Sequence, residues 1–111
     1  TTLFRSAFQG LKTLLKAEHN SRIHILAAVL AIGAGLYLEI SRAEWIALVL
    51  TIALVLICEI FNTAIENIAD FVSPEIHPQI KKIKDLAAAA VLISALASVM
   101  VGLLIFIPRL S

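Results

Sequence analysis

Charge is scarce in this 111-residue chain: Asp, Glu, Lys and Arg make up 15% of it, against about 25% in an ordinary soluble domain. It has a single cysteine, Cys58, which excludes a disulfide framework. Aromatic residues are only 6%, and four glycines and three prolines form no low-complexity linker. No repeat of 20–50 residues is present, so the chain reads as one domain. The net charge of +1 offers no basic footprint for nucleic acid. A phosphate-binding loop of the G-x-x-x-x-G-K-[ST] type is missing, as are kinase H-R-D and D-F-G motifs, so no soluble nucleotide-binding fold is encoded. What fills the space is apolar: 60% of the residues are hydrophobic and the mean hydropathy is +0.98. Ala, Ile, Leu and Val carry that excess, and a bundle this small cannot hide so much apolar surface from water. The composition predicts an all-α integral membrane protein.

Three stretches are candidates to cross the bilayer. Leu86 to Pro108 is uncharged for about 23 residues, where roughly 20 are needed. Ile23 to Leu38 gives about 16, extended by tilt or by snorkelling of Arg22. Trp45 to Cys58 gives about 14 and crosses only if its helix continues through Glu59, Asn62 and Glu66. The predicted crossing helices are 22–40, 44–72 and 84–108, preceded by an N-terminal helix over 1–20. That first segment lacks the continuous apolar core and the cleavage site of a signal peptide. Leu3, Phe4, Ala7, Phe8, Leu11, Leu14 and Leu15 fall within roughly 140° of a helical wheel, with Arg5, Gln9, Lys12 and Lys16 opposite. This predicts an amphipathic helix lying on an anionic leaflet. Arg5, Lys12, Lys16 and Arg22 precede the first span, and Lys81, Lys82 and Lys84 sit between the second and third. Only Arg42 and Arg109 mark the other side, so the N-terminus is expected in the cytoplasm and the C-terminus outside.

Carboxylates on the second span are the unusual feature. On a helix, Glu59, Asn62, Thr63, Glu66 and Asp70 share a stripe roughly 100° wide, while Ile60, Phe61, Ile65 and Ile68 point elsewhere. Each carboxylate near hydrocarbon costs about 2.5–3.5 kcal/mol even on the lenient insertion scale. Such a stripe reads as a water-accessible acidic site at the cytoplasmic interface. Glu18 falls in the apolar sector of the N-terminal helix, where it needs a partner, and Arg22 follows one turn later. Pro74 and Pro78 break the second helix, and the loop leads to Lys81-Lys82-Ile83-Lys84-Asp85. Lysines beside acids suit a polyphosphate with a divalent ion held by the carboxylates, the parts phosphoryl transfer requires. These residues alone leave open a channel or a cation-coupled transporter with Glu59 as its titrating group.

Glu59-x-x-Asn62-Thr63-Ala64-Ile65-Glu66-x-x-x-Asp70, followed by His77 and Lys84-Asp85, resembles the prokaryotic diacylglycerol kinase family of small trimeric membrane lipid kinases. The resemblance runs from Arg5-x-Ala7-Phe8-x-Gly10 through Glu18-x-Asn20-x-Arg22-Ile23-His24 to the last span, and the latter segment looks like the undecaprenol kinase branch. It implies a homotrimer in the bacterial cytoplasmic membrane that phosphorylates diacylglycerol or undecaprenol from MgATP. By matching positions it implies that Glu18 and Glu66 hold Mg²⁺ and that Glu59 is the base for the lipid hydroxyl. Asn62, Glu66, Asp70, Lys84 and Asp85 match positions around the nucleotide. His24 and Pro78 stand where enterobacterial members carry glutamate, and Ala89 where a glycine is usual. Small residues at Ala27, Ala31 and Gly35, and at Ala90, Ser94, Ser98 and Gly102, form stripes that let membrane helices approach closely.

Overall fold

The computed structural model describes residues 2–73, 75 and 77–110. They form four helices: α1 (Thr2–Ala17), α2 (His19–Leu38), α3 (Arg42–Val72) and α4 (Pro78–Leu110). The last three are long and apolar enough to cross a membrane. At 1.5 Å per residue, the 31 residues of α3 and the 33 of α4 reach about 46 and 50 Å, well beyond a hydrocarbon core of about 30 Å. They run antiparallel along each other, with α2 lying against α3. Most large apolar side chains face outward, Leu26, Leu50, Ile93 and Leu104 among them, as a lipid-solvated bundle requires.

A cluster of buried apolar residues lies at one end. Ile40, Leu48 and Ile105 form a cluster with Trp45, Val101 and Phe106 around the α2–α3 connection. Ser41 caps α3 reciprocally: its Oγ accepts from Glu44 N at 3.2 Å and its own N–H donates to Glu44 Oε1 at 2.8 Å. Glu44 also takes the Arg109 guanidinium from the last turn of α4, tying the two helix ends together. Glu39 ends α2 in the left-handed region at φ 52°, a position a glycine fills with less strain. Gly35 belongs to this end as well. A Cβ there would meet Ile40 Cδ1 at 3.0 Å and the Trp45 ring at 3.0 and 3.2 Å, so its smallness serves packing within the chain. Ser94, expected on an open small-residue stripe, is likewise buried, and its hydroxyl donates to Val91 O at 2.9 Å.

Two boundaries differ from expectation. The N-terminal helix stops at Ala17 rather than at residue 20, because Arg22 turns back and donates to Leu15 O at 2.7 Å and Lys16 O at 3.0 Å. Those carbonyls have no partner further along their own helix, and a cation there also suits the helix dipole. Glu18 therefore leaves the apolar sector assigned to it and takes the extended N-cap position of α2, with no side-chain capping bond. Pro78 does not lie in a loop either. It opens α4, where its missing N–H costs nothing, and so places Lys81, Lys82 and Lys84 on helix instead of in a connection. Pro74 lies outside the described residues.

Candidate active site

At the end of the bundle away from the Trp45 cluster, α3 turns its polar stripe toward α2. Glu59 is only 4% exposed. Its Oε1 rests against Nδ1 of His24 on α2 as an ion-pair contact, and neither carboxylate oxygen has a hydrogen-bond partner among the described residues. One turn on, Asn62 Nδ2 donates to Glu66 Oε1 at 2.6 Å, which leaves Asn62 Oδ1 buried and unpartnered. Thr63 Oγ1 reaches Glu18 Oε1 at 3.5 Å, spanning from α3 to the α1–α2 junction. These groups surround a cavity of about 50 Å³ lined by Glu18, Asn20, Ser21, Glu59, Asn62 and Thr63, with Val91 of α4 on its far side. Removing a carboxylate from water without full partners costs several kcal/mol. Three buried oxygens without hydrogen-bond partners, two on Glu59 and one on Asn62, mark a place shaped for something that supplies the missing contacts.

A second hollow, of about 320 Å³, lies where α3 passes into α4. Asp70, Ser73, Glu75, His77, Lys81, Lys84 and Asp85 line it. Lys84 Nζ donates to Asp70 Oδ1, linking the helices, and Lys81 Nζ donates to Asp85 Oδ2 at 2.7 Å within α4. His77 caps α4, its Nδ1 accepting from Gln79 N at 3.1 Å. Three carboxylates against two ammonium groups leave this hollow without net positive charge, so a polyphosphate there calls for a divalent cation. From Glu59 to Asp70 the helix advances about 16 Å at 1.5 Å per residue. Glu66 stands between the two hollows, one turn from Asn62 and one from Asp70.

The oxygen donors fit a hard divalent ion. Glu18, Glu66 and the free Asn62 Oδ1 all converge on neighbouring turns of α3 through Thr63 and Asn62. Among the described residues no three His, Cys, Asp or Glu side chains form a cage. Mg²⁺ needs none, since it takes one or two carboxylates and keeps water and phosphate oxygens for the rest.

The site residues expected from sequence thus fall into two groups. Glu18, Glu59 and Asn62 meet at the buried cavity, with Glu66 one hydrogen bond away; Asp70, Lys84 and Asp85 share the outer hollow. The ion pair that Arg22 offered to Glu18 is not formed among the described residues, because the guanidinium is taken by backbone carbonyls. Sequence reasoning did not bring Asn20, Ser21 and His24 into the site. Their signal was present: at i, i+1 and i+4 they place three polar groups on one side at the head of an otherwise apolar helix.

The comparisons with known proteins agree with this arrangement. The sequence matches the family model for prokaryotic diacylglycerol kinase over residues 5–106. It is 37% identical over 107 residues to the undecaprenol kinase of Bacillus subtilis (strain 168), covering 96% of this chain and 87% of that protein. To a diacylglycerol kinase of Synechocystis it is 37% identical over 108 residues, 96% of this chain and 62% of that protein. To the diacylglycerol kinase of Escherichia coli (strain K12) it is 31% identical over 93 residues, 84% of this chain and 76% of that protein. A match that takes in both hollows and all the long helices settles the classification: the chain belongs to the prokaryotic diacylglycerol kinase family.

Proposed function

We propose that the protein is an ATP-dependent lipid kinase that works as a homotrimer in the bacterial cytoplasmic membrane, its N-terminus inside and α1 lying on the leaflet. Its acceptor is a membrane alcohol, diacylglycerol or undecaprenol, and its products are ADP and the lipid phosphate. The observation that carries this reading is the buried Glu59 carboxylate, without a hydrogen-bond partner among the described residues, lining a polar cavity. Lipid kinases require a proton acceptor at the depth of a lipid hydroxyl, and Glu59 is the deepest acid of the stripe. Glu59 takes the hydroxyl proton as the lipid oxygen attacks the γ-phosphorus of ATP, and the bond from that phosphorus to the departing ADP oxygen breaks. Lys84 and Lys81, released from Asp70 and Asp85, neutralise phosphate charge, while Asp70 and Asp85 orient the nucleotide. Glu18, Glu66 and Asn62 Oδ1 would hold Mg²⁺, which would supply neutralisation of the phosphate charge.

A cation-coupled transporter built on Glu59 has no use for a lysine-lined hollow, and membership of a kinase family leaves that alternative without support. The test is transfer of label from γ-labelled ATP to lipid in mixed micelles carrying either diacylglycerol or undecaprenol. Labelled lipid phosphate with either alcohol is expected. Folded protein that labels neither in the presence of Mg²⁺ overturns the assignment.

A further inference from the structure

A general base needs a fixed geometry as well as a free lone pair. The terminal torsion of a glutamate is broad, so burial alone does not decide which oxygen faces the substrate. Donors on α3 are already committed: Asn62 Nδ2 serves Glu66 and Thr63 Oγ1 serves Glu18. What touches Glu59 is His24 Nδ1, itself buried, delivered from another helix. Other ionisable groups around the pair are Glu18 at the head of α2 and Glu66 beyond Asn62, both acids, while α4 adds Val91 and no charge to the cavity. His24 also lines an apolar groove of about 230 Å³ with Ala27, Ala31, Val55 and Ser98. The pair therefore stands between the groove and the polar cavity.

We infer that His24 is the positioning residue for Glu59: its ion-pair contact through Nδ1 with Oε1 fixes the carboxylate plane and leaves Oε2 to receive the proton of the lipid hydroxyl. The inference rests on Glu59 as the base. His24 itself touches neither the phosphorus nor the attacking oxygen in this arrangement. Its contribution is therefore to turnover, with little effect on the binding of either substrate.

Three substitutions at this position and one double variant test it, each on protein shown to be helical and assembled in micelles. His24→Ala is expected to lower kcat about 10- to 100-fold, the scale on which a displaced reacting group slows a reaction, with each KM changed less than about threefold. His24→Asn carries an amide N–H near the position of Nδ1 and should recover to within about fivefold of wild type. His24→Phe fills the same space with no donor and should stay as slow as His24→Ala. Adding His24→Ala to Glu59→Gln should cost no more than about twofold beyond Glu59→Gln alone, because a residue acting through Glu59 has nothing left to orient. Recovery by Phe, a defect confined to KM, or a double variant slowed by the full product of the two effects would each overturn the role of His24. A Glu59→Gln protein that keeps normal turnover would instead remove the base assignment beneath it, so the two failures are told apart.

Discussion

Glu59→Gln is expected to move stability and activity in opposite directions. The side chain is 4% exposed, its Oε2 has no partner, and His24 is the one contact that its carboxylate makes among the described residues. A buried acceptor left unsatisfied costs about 1–3 kcal/mol, and more when the group is charged. Glutamine keeps the volume and an oxygen toward His24 but removes the charge, so the variant should be as stable as wild type or more so by about 1 kcal/mol. Loss of a general base costs about 10²–10⁴ in rate. Thermal unfolding in micelles, followed by circular dichroism, gives the first quantity, and lipid phosphorylation under saturating MgATP gives the second. If Glu59 is a packing or subunit-contact residue, the signs reverse: the variant loses stability or assembly, and whatever assembles stays active. A well-assembled variant retaining more than about a tenth of normal turnover refutes the base assignment, being above the range that removal of a base allows.

Glu66→Gln or Glu18→Gln should raise the Mg²⁺ concentration for half-maximal rate about tenfold or more, a loss of at least ~1.4 kcal/mol, whereas Thr63→Ala, removing a contact at 3.5 Å, should shift it less than about threefold in the same titration. Gly35→Ala should destabilise by about 1–3 kcal/mol by pressing on the Trp45 ring, while Gly33→Ala, with nothing within 4 Å of an added Cβ, should be neutral or gain up to ~1 kcal/mol of helix propensity; unfolding in micelles compares them. Glu39→Gly should gain about 1 kcal/mol in the same measurement by relieving the left-handed backbone at φ 52°. In a Cys58→Ala background, an impermeant thiol reagent should label Arg42→Cys from outside and Gln79→Cys only from the cytoplasmic side; the opposite pattern reverses the proposed orientation.

Periodicity made the helical course of α3 and its acidic stripe legible, because burial and polarity there repeat with the turn of one helix. What was not legible depended on residues distant in sequence. A helical wheel continues α1 through Glu18, since nothing local tells it that the Arg22 guanidinium will turn back to the carbonyls of Leu15 and Lys16. His24 and Glu59 lie on separate helices, and no spacing rule joins them. The four-residue spacing of Ala31 and Gly35 marked a place of close helix approach but not its partner, which is Trp45 of the same chain. Pro78 misled for a simpler reason, since the residue that breaks a helix interior is also favoured at a helix start.

The surplus length of α3 and α4 explains how so small a chain holds a site that must face two phases. The capping box at Ser41 and the Glu44–Arg109 pair fix one end of α3. Counting from Trp45, about 20 residues cross the hydrocarbon, which brings the opposite surface near Ala64. Glu59 then lies inside that boundary by more than a turn, with Glu66 and Asp70 outside it. In the proposed reaction a lipid hydroxyl held near the surface would reach the first acid from the membrane, and a nucleotide in water the others. Glu59 and Glu66 are seven residues apart, about 10 Å along the helix. Asn62 spans part of that gap, giving its amide N–H to Glu66 while its free oxygen faces the cavity beside Glu59. Because the whole series sits on one rigid helix, the depth of Glu59 relative to Glu66 is set by residue count and not by a mobile loop. That is why a charged stripe costly to insert is carried on a membrane helix at all.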